Sequence, residues 1–447
     1  MSCLNLYDVL VIGAGPAGLA MCASEKSKNK RILLVEKGKP LSERDLDEPL
    51  EMACGVGGAG PAIDGKFSFF PAGTALWQFS YKYLSSAFQE MMYLMQPYFN
   101  NNNSPKMPSE KQIFDYFFDS ESFWKLKKYD SFYMDKPNRL AYLGRLVELA
   151  CNNCRLLYNT RVIAVTQENS LLYAVNLSRD CAKVETVYAR HVVFAGGRFM
   201  PIQRLLSGIS PLFVAKKEIF RRQEFGVRVQ LPCDNIAIQE MGSCGVLDPK
   251  FVKYENATKG NENTKRKEIR TFCFCRNGTV CKSNIDGIQT YSGRSDVERT
   301  NFTNFGLMVR TYNEKEFDDT QVSHFCRATF ELTVGEQTQD QVRAQFLKCC
   351  GNNIGQFIWS GLDELFAKFP ALWCKELQFF GPCLEGVGSY PNIVEDFRIH
   401  GLINAYAIGD TSGIFRGLVP SLLSGYLLSH LIDDCERDAS LFFTGNI

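Results

Sequence analysis

Histidine is scarce in this sequence, with four among 447 residues, so a histidine-rich metal centre has almost no ligands to draw on. Neither sign of charge predominates. The 50 Lys and Arg stand against 49 Asp and Glu, a net charge of +1, which leaves no global field to recruit nucleic acid or an anionic membrane surface. No internal repeat is present. No apolar run reaches the length of a membrane span: Gly417 to Ile432 is the longest, and Pro420, Ser421, Ser424, Gly425 and His430 interrupt it, so it reads as a core helix. No secretory leader is expected, because a strand-like run begins at Leu6. These absences lead to the expectation of an intracellular, cytoplasmic chain long enough for two or three intertwined lobes.

Cysteine is plentiful. Seventeen cysteines, an odd number in a long chain without a leader, read as reduced thiols. Cys151-Asn-Asn-Cys154 has redox spacing, yet it closes an amphipathic helix (Leu140, Leu143, Leu146, Val147, Ala150) where a redox motif would open one, and it reads as an inert helix end. Cys273 and Cys275 share a strand face; without a second pair at finger-like spacing they do not read as a zinc site, and no metal is expected.

The most specific pattern is at the start. Leu6 to Ile12 is an aliphatic run typical of a strand buried on both faces. A tight turn follows, in which Gly13 takes backbone angles closed to other residues, Gly15 lets the main chain approach a pyrophosphate, and Gly18 allows the next helix to pack on the strand. Pro16 and Ala17 open that helix, whose N-terminus faces the phosphates. Arg31 to Val35 supplies a second strand closed by Glu36, the acid expected to bind a ribose diol. Lys37 and Arg44 follow as further contacts.

The turn GAGPAGL resembles the FAD-binding turns of glutathione-reductase-like flavoproteins more than those of NAD-dependent dehydrogenases. The far end of the chain agrees. Asn404 to Gly413 reads as a strand ending in Gly409-Asp410, followed by a segment, Ile414 to Ile432, that becomes helical after Pro420. By the same resemblance Asp410 holds the cofactor, and Arg416 and Gly417 lie near the start of a helix facing the flavin. Ala189 to Arg198 is a strand ending in Ala195-Gly196-Gly197, where such chains re-enter the nucleotide domain. Before it, Arg161 to Val165, Leu171 to Asn176 and Val184 to Tyr188 suit a β-meander, with Arg161 and Val162 as adenine contacts.

Beyond these motifs, the chain resembles the bacterial and archaeal-type uncharacterised FAD-dependent dehydrogenases. The likeness rests on Gly57-Gly58-Ala59-Gly60 with Asp64-Gly65-Lys66, on Arg270 to Cys275 (RTFCFC), on Ser292 to Asp296 (SGRSD) and on Glu224 to Val229. Pro61-Ala62-Ile63 and Arg276-Asn277-Gly278 depart from the family pattern, where substrate would be met. The resemblance implies an α/β fold: a Rossmann-like FAD-binding domain from residues 1–199 and 386–447, a β-meander, and an inserted α+β substrate domain at 200–385. Middle-lobe strands are expected at Phe225 to Gln230, Arg270 to Val280 and Gly306 to Arg310, with a helix at Gln339 to Cys349. Asn100 to Pro105 and Lys259 to Arg270 read as exposed loops, and Lys265 to Lys267 with Lys216, Lys217, Arg221 and Arg222 as a solvated basic face.

The implied activity is hydride transfer between bound FAD and a small organic substrate, with NAD(P)H at most a transient donor because only one dinucleotide cradle is evident. Lys66 and Asp64 lead the candidates for catalytic groups, followed by Arg294 and Cys275. Two other readings remain open: an NAD(P)H-using flavin monooxygenase, and a non-catalytic escort protein on a flavoprotein fold.

Overall fold

The computed structural model describes residues 5–99, 104–118, 124–169, 171–179, 183–198, 200–209, 219–256, 265–285 and 287–443. The expected loop at Asn100 falls largely outside them, as do Lys216 and Lys217. The chain opens with β1 (Leu6–Ile12), α1 (Pro16–Ala23) and β2 (Ile32–Val35). Then come β3 (Lys66–Ser68), α2 (Tyr81–Met95), α3 (Glu110–Phe118), β4 (Lys125–Lys127), β5 (Ser131–Tyr133), α4 (Lys136–Asn153) and β6 (Cys154–Leu157). A meander follows, β7 (Thr160–Asn169), β8 (Leu172–Arg179) and β9 (Lys183–Phe194). The middle of the chain forms α5 (Ile202–Ile209), β10 (Ile219–Pro232), α6 (Ile236–Gly242), β11 (Lys250–Asn256), β12 (Lys265–Cys275), the hairpin β13 (Thr279–Ile285) and β14 (Ile288–Arg294), β15 (Phe302–Thr311), α7 (Asp319–Arg327) and β16 (Phe330–Thr333). It closes with α8 (Gln339–Cys350), α9 (Asn352–Lys368), β17 (Gln378–Pro391), β18 (Ala405–Ala407) and α10 (Leu418–Phe443).

Two seven-stranded sheets organise these elements. In the first, β6, β2, β1, β9 and β18 run parallel, and β8 and β7 extend it antiparallel. β1 is buried on both faces as its aliphatic run requires: Val9 and Val11 pack toward α1, α4 and α10, and Leu10 and Ile12 pack toward α5 and the meander. The second sheet is antiparallel, in the order β16-β17-β10-β15-β12-β11-β4, and its apolar face is covered by α7, α8 and α9 through Phe325, Phe346, Trp359 and Leu362. Capping boxes, Asp318 with Gln321 and Thr338 with Gln341, start α7 and α8.

Several elements differ from the sequence reading. The third meander strand and the re-entry strand are one, because no breaker separates Tyr188 from Ala189, and β9 pairs with β8, β1 and β18 in succession. Arg270 to Val280 is two strands, β12 and β13, parted by a turn in which Asn277 has φ +47°. Lys265 to Arg270 is strand where a loop is expected, and Arg222 turns inward to an ion pair with Glu224 where a solvated basic face is expected. Cys154 opens β6, which pairs with β2. α10 begins at Leu418, with Pro420 inside its first turn. The expected return at residue 386 falls inside β17, which pairs with β10 as far as Pro391. Among the described residues no helix is long and apolar enough to cross a membrane.

Candidate cofactor site and cysteine cluster

The N-terminal turn is tied down at the C-terminal end of the first sheet. Gly13 has φ +109°, its N–H donates to the Val35 carbonyl at 2.8 Å, and a Cβ there would stand 2.6 Å from the Ala195 carbonyl oxygen. Only glycine fits. Gly15 is different: its backbone is ordinary, φ −74° and ψ −179°, and a Cβ would meet nothing nearer than Ala195 O at 3.9 Å and Gly58 Cα at 4.0 Å. The protein itself leaves that space free. It lies at the N-terminus of α1, where the first-turn N–H groups of Ala17 and Gly18 have no partner within the helix and the helix dipole favours an anion.

Glu36 does more than the sequence suggests. Buried at the end of β2, its carboxylate accepts N–H bonds from Ala14 (2.9 Å), Gly38 (2.9 Å) and Gly55 (3.1 Å), so it clamps the glycine turn to the second glycine loop. Gly57 N–H donates to the Ala14 carbonyl at 2.8 Å, which brings Gly57, Gly58 and Ala59 against the turn. Arg44 is turned inward, donating to the carbonyls of Val56 and Glu51, and it shapes this loop. Lys37 is half-buried beside them. Val162 is buried with Ile12 and Val35 at the same end of the sheet.

The other two motifs converge on this point. Gly197 N–H donates to Thr411 Oγ1 at 2.8 Å and Gly409 N–H to Ser424 Oγ at 3.0 Å; a Cβ on Gly409 would stand 2.9 Å from that of Ala17. Asp410 is ion-paired with Arg198 (3.2 Å) and Arg416 (3.1 Å). Burial pushes its carboxyl up, but the Arg416 and Arg198 charges outweigh burial and hold it below its ordinary value. Arg416 also reaches Glu224 (3.3 Å) and Glu385 (3.6 Å) on the second sheet. Glu224 is fully buried, accepts both Nη groups of Arg270 (3.0 and 2.9 Å) and is paired with Arg222 at 2.7 Å. Burial opposes its ionisation; Arg270, Arg222 and Arg416 reverse that and hold it well below the usual range. The sequence reading names Asp410 and Arg416 but not Arg198, Glu224 and Glu385; the one available signal is the pair of charges, Glu224 and Arg228, inside the otherwise apolar EFGVRV strand.

A second cluster joins the DGK loop to β12. Lys66 Nζ lies 2.7 Å from Asp64 Oδ2 and 3.5 Å from Asp248 Oδ1, and donates to the Phe274 carbonyl at 2.6 Å. Burial would lower the ammonium pKa, but Asp248 and Asp64 hold it well above the usual value. Cys273 Sγ is 3.1 Å from Asp64 Oδ2, Cys275 Sγ is 3.6 Å from it, and the two sulfurs are 3.6 Å apart. The structure thus joins Lys66, Asp64 and Cys275 and adds Asp248, Arg228 and Cys273. Asp64, Cys273 and Cys275 offer three ligand atoms within 4.8 Å; Lys66 beside the carboxylate and Arg228 Nη2, 3.8 Å from Cys275 Sγ, fill that space with positive charge and repel a cation.

Arg294 stands apart. It bonds Asp296 at 3.0 Å and Asp47 at 3.4 Å, and it faces a cavity of about 430 Å³ shared with Cys281 and Tyr291. Asp296 is also paired with fully buried Arg139 at 2.5 Å. A larger cavity, about 880 Å³, lies at the opposite end of β1 around Leu6 and Asp8, away from the glycine turn.

No protein-family model and no curated protein matches the chain. Solved structures align along nearly its whole length at low similarity. A geranylgeranyl bacteriochlorophyll reductase-like protein from Thermoplasma acidophilum is 11% identical over 97% of this chain and 80% of its own, with a TM-score of 0.40. A flavoprotein/dehydrogenase from Cytophaga hutchinsonii gives 12%, 96%, 79% and 0.37. The halogenase PltM in complex with FAD gives 12%, 97%, 70% and 0.41. Likeness at this level assigns no function.

Proposed function

We propose that this chain is an FAD-dependent oxidoreductase that transfers a hydride between bound flavin and a small organic substrate. The observation that carries the reading is the free space at Gly15, at the mouth of α1, where the N-terminal turn, the Gly57–Ala59 loop, Ala195–Gly197 and Gly409 meet. A Cβ there would clash with nothing in the protein, so the fold itself does not require this glycine; we assign it to a group that comes from outside, and first-turn amides select an anionic one such as a pyrophosphate.

In this reading Gly13, Gly15, Pro16, Ala17 and Gly18 hold the pyrophosphate. Glu36 Oε2, which accepts one N–H bond from Ala14, keeps acceptor capacity for a ribose hydroxyl. Gly57, Gly58, Ala59, Val162, Lys37 and Arg44 line the adenosine side, and Gly409, Asp410, Arg416 and Gly417 line the other. Bound flavin supplies the acceptance or delivery of a hydride. Lys66, buried and held charged by Asp64 and Asp248, stabilises developing negative charge on substrate; Asp64 and Cys275 exchange protons next to it. Arg294 positions the SGRSD segment through Asp296. Residues 1–199 and 386–447 carry the cofactor and also supply Asp64 and Lys66, which meet the substrate groups of 200–385 at Asp248 and β12, with β17 shared between the two parts.

The test is the visible absorption spectrum of the purified protein, repeated anaerobically with NADH, NADPH and a panel of amines, hydroxy acids and enones. Flavin bands bleached by an organic substrate support the dehydrogenase. Bleaching by a pyridine nucleotide alone moves the reading to a reductase or monooxygenase. A colourless protein that stays colourless after loading with FAD sinks the enzyme reading.

A further inference from the structure

Cys273 and Cys275 are two residues apart on β12, where regular strand geometry would hold their α-carbons about 6.6 Å apart with side chains parallel. They are not in regular geometry. Cys273 has φ +51°, a left-handed conformation that non-glycine residues adopt rarely, and the pairing of β12 with β15 slips between Phe272 and Cys275. This bulge turns the two thiols toward each other until their sulfurs are 3.6 Å apart. Bulges of this kind re-aim side chains next to functional sites.

The surroundings favour a reactive pair. Arg228 is fully buried, and its Nε and Nη1 have no hydrogen-bond partner. Among the described residues no carboxylate lies within ion-pair distance of it; its Nη2 faces the Cys273 carbonyl, the Asn304 side chain and Cys275 Sγ. A buried guanidinium without an anion is costly, and a thiolate at Cys275 supplies that anion. Burial pushes the Cys275 thiol up, but the hydrogen bond from Cys273 and the Lys66 charge outweigh it, and the thiol sits below its ordinary value. Asp64 accepts a hydrogen bond from the Cys273 thiol at 3.1 Å, and the Cys275 sulfur, burial and the Asp64 charge hold that thiol well above its ordinary value, so the pair rests with its one thiolate at Cys275. Cys275 is buried, whereas Cys273 is half-buried, so an incoming molecule meets Cys273 first.

We infer that Cys273 and Cys275 are a redox-active dithiol that exchanges with small-molecule disulfides, Cys273 as the entering nucleophile and Cys275 as the resolving one. Cys273 passes its proton to the Cys275 thiolate beside it and its sulfur attacks one sulfur of the disulfide RSSR; the S–S bond of RSSR breaks and RS⁻ leaves, taking that proton from Cys275 as RSH. Cys275, as thiolate, attacks Cys273 Sγ, the Cys273–Cys275 bond forms and the second RS⁻ leaves. The second RS⁻ takes a proton from solvent, which balances the one Cys275 had given up on becoming a thiolate. In sum the dithiol is oxidised by two electrons and RSSR is reduced to two RSH. The dithiol chemistry needs no flavin, although it uses Cys275, Asp64 and Lys66, which the flavin reading also employs, and its test reads the cysteines directly whatever the flavin content.

The full-length protein, equilibrated with mixtures of oxidised and reduced dithiothreitol, is quenched in acid, alkylated and digested with trypsin, which releases Thr271–Arg276 as one peptide. The expected result is a peptide that takes two alkyl groups in reducing mixtures, and in oxidising ones takes none and has lost two hydrogen atoms. With glutathione disulfide, C275S accumulates the adduct on Cys273, and C273S carries roughly tenfold less on Cys275, because access to a thiolate governs site selectivity. Two alkyl groups at every ratio, or pairing of either cysteine with another residue, would overturn the inference, and the wild-type measurement decides it even where a variant fails to fold. Equal labelling of C273S and C275S would overturn the assigned order of attack.

Discussion

Gly13 and Gly15 are adjacent in the same motif and do unlike jobs. A Cβ on Gly13 collides with the backbone of Ala195, whereas one on Gly15 fits. Gly13→Ala should therefore lower stability by more than about 1 kcal/mol, the usual scale for an alanine forced to positive φ. Gly15→Ala should leave the melting temperature within about 2 °C of wild type while flavin content after FAD loading falls. Comparing melting curves and absorbance for the two variants separates a fold requirement from a ligand requirement. Equal melting of both, or full flavin in Gly15→Ala, contradicts the assignment. Glu224 is the other residue whose role is decided by its neighbours. Glu224→Gln removes the negative charge that Arg222 and Arg270 share and leaves two guanidinia facing a neutral side chain, and it should cost about 3–5 kcal/mol, read from the midpoint of urea unfolding.

At the scale of elements, the packing of α10 on α1 sets the site. α1 is buried along its length because Ala17, Gly18, Ala20 and Ala23 are small, and α10 comes so close that a Cβ on Gly425 would stand 2.1 Å from the Ala17 carbonyl oxygen. Gly425→Ala should separate the helices, destabilise by about 1–3 kcal/mol and weaken flavin retention together with stability; unchanged flavin at a lowered melting temperature would show that the α1 mouth tolerates the shift. The opening βαβ unit was legible from the sequence to the residue for β1, since its signal is local: an aliphatic run, three glycines and an acid. The split of β12 from β13 and the fusion inside β9 were not, because strand ends depend on partners distant in sequence. The bulge at Cys273 has no sequence signal at all; a cysteine in a left-handed conformation is imposed by its neighbours.

The two seven-stranded sheets are joined by an ion-pair network. Asp410, Arg198 and Arg416 follow the first sheet, Glu385, Glu224, Arg270 and Glu268 belong to the second, and the pairs run continuously between them. Burial raises each carboxyl, and the arginines outweigh it: Asp410 is lowered, Glu224 well lowered and Glu268 brought down to about 2. A carboxyl whose folded value is depressed contributes stability that is complete above its unfolded value, near 4, and lost as pH falls through the folded one. Unfolding free energy should therefore be flat with respect to these groups above about pH 5 and fall steeply from about pH 4.5 toward pH 2, followed by urea titrations at stepped pH. Glu224→Gln should flatten that fall. An unchanged slope in the variant would mean that the network does not govern acid stability.

The sequence by itself determined the glycine turn after β1, the acid that closes β2, the buried parallel strands and the glycine-rich partner loops, because each is written in contiguous residues whose backbone angles or polarity admit few alternatives. Tertiary structure alone decided which charges meet. Arg198, Glu224, Glu385 and Arg416 come from four separate segments, as do Asp64, Asp248, Arg228 and the two cysteines of β12, and nothing in their spacing foretells contact. Ion pairs and thiol contacts act over a few ångströms in space with no fixed period along the chain, so only the crossing of the two sheets brings those groups within reach of one another.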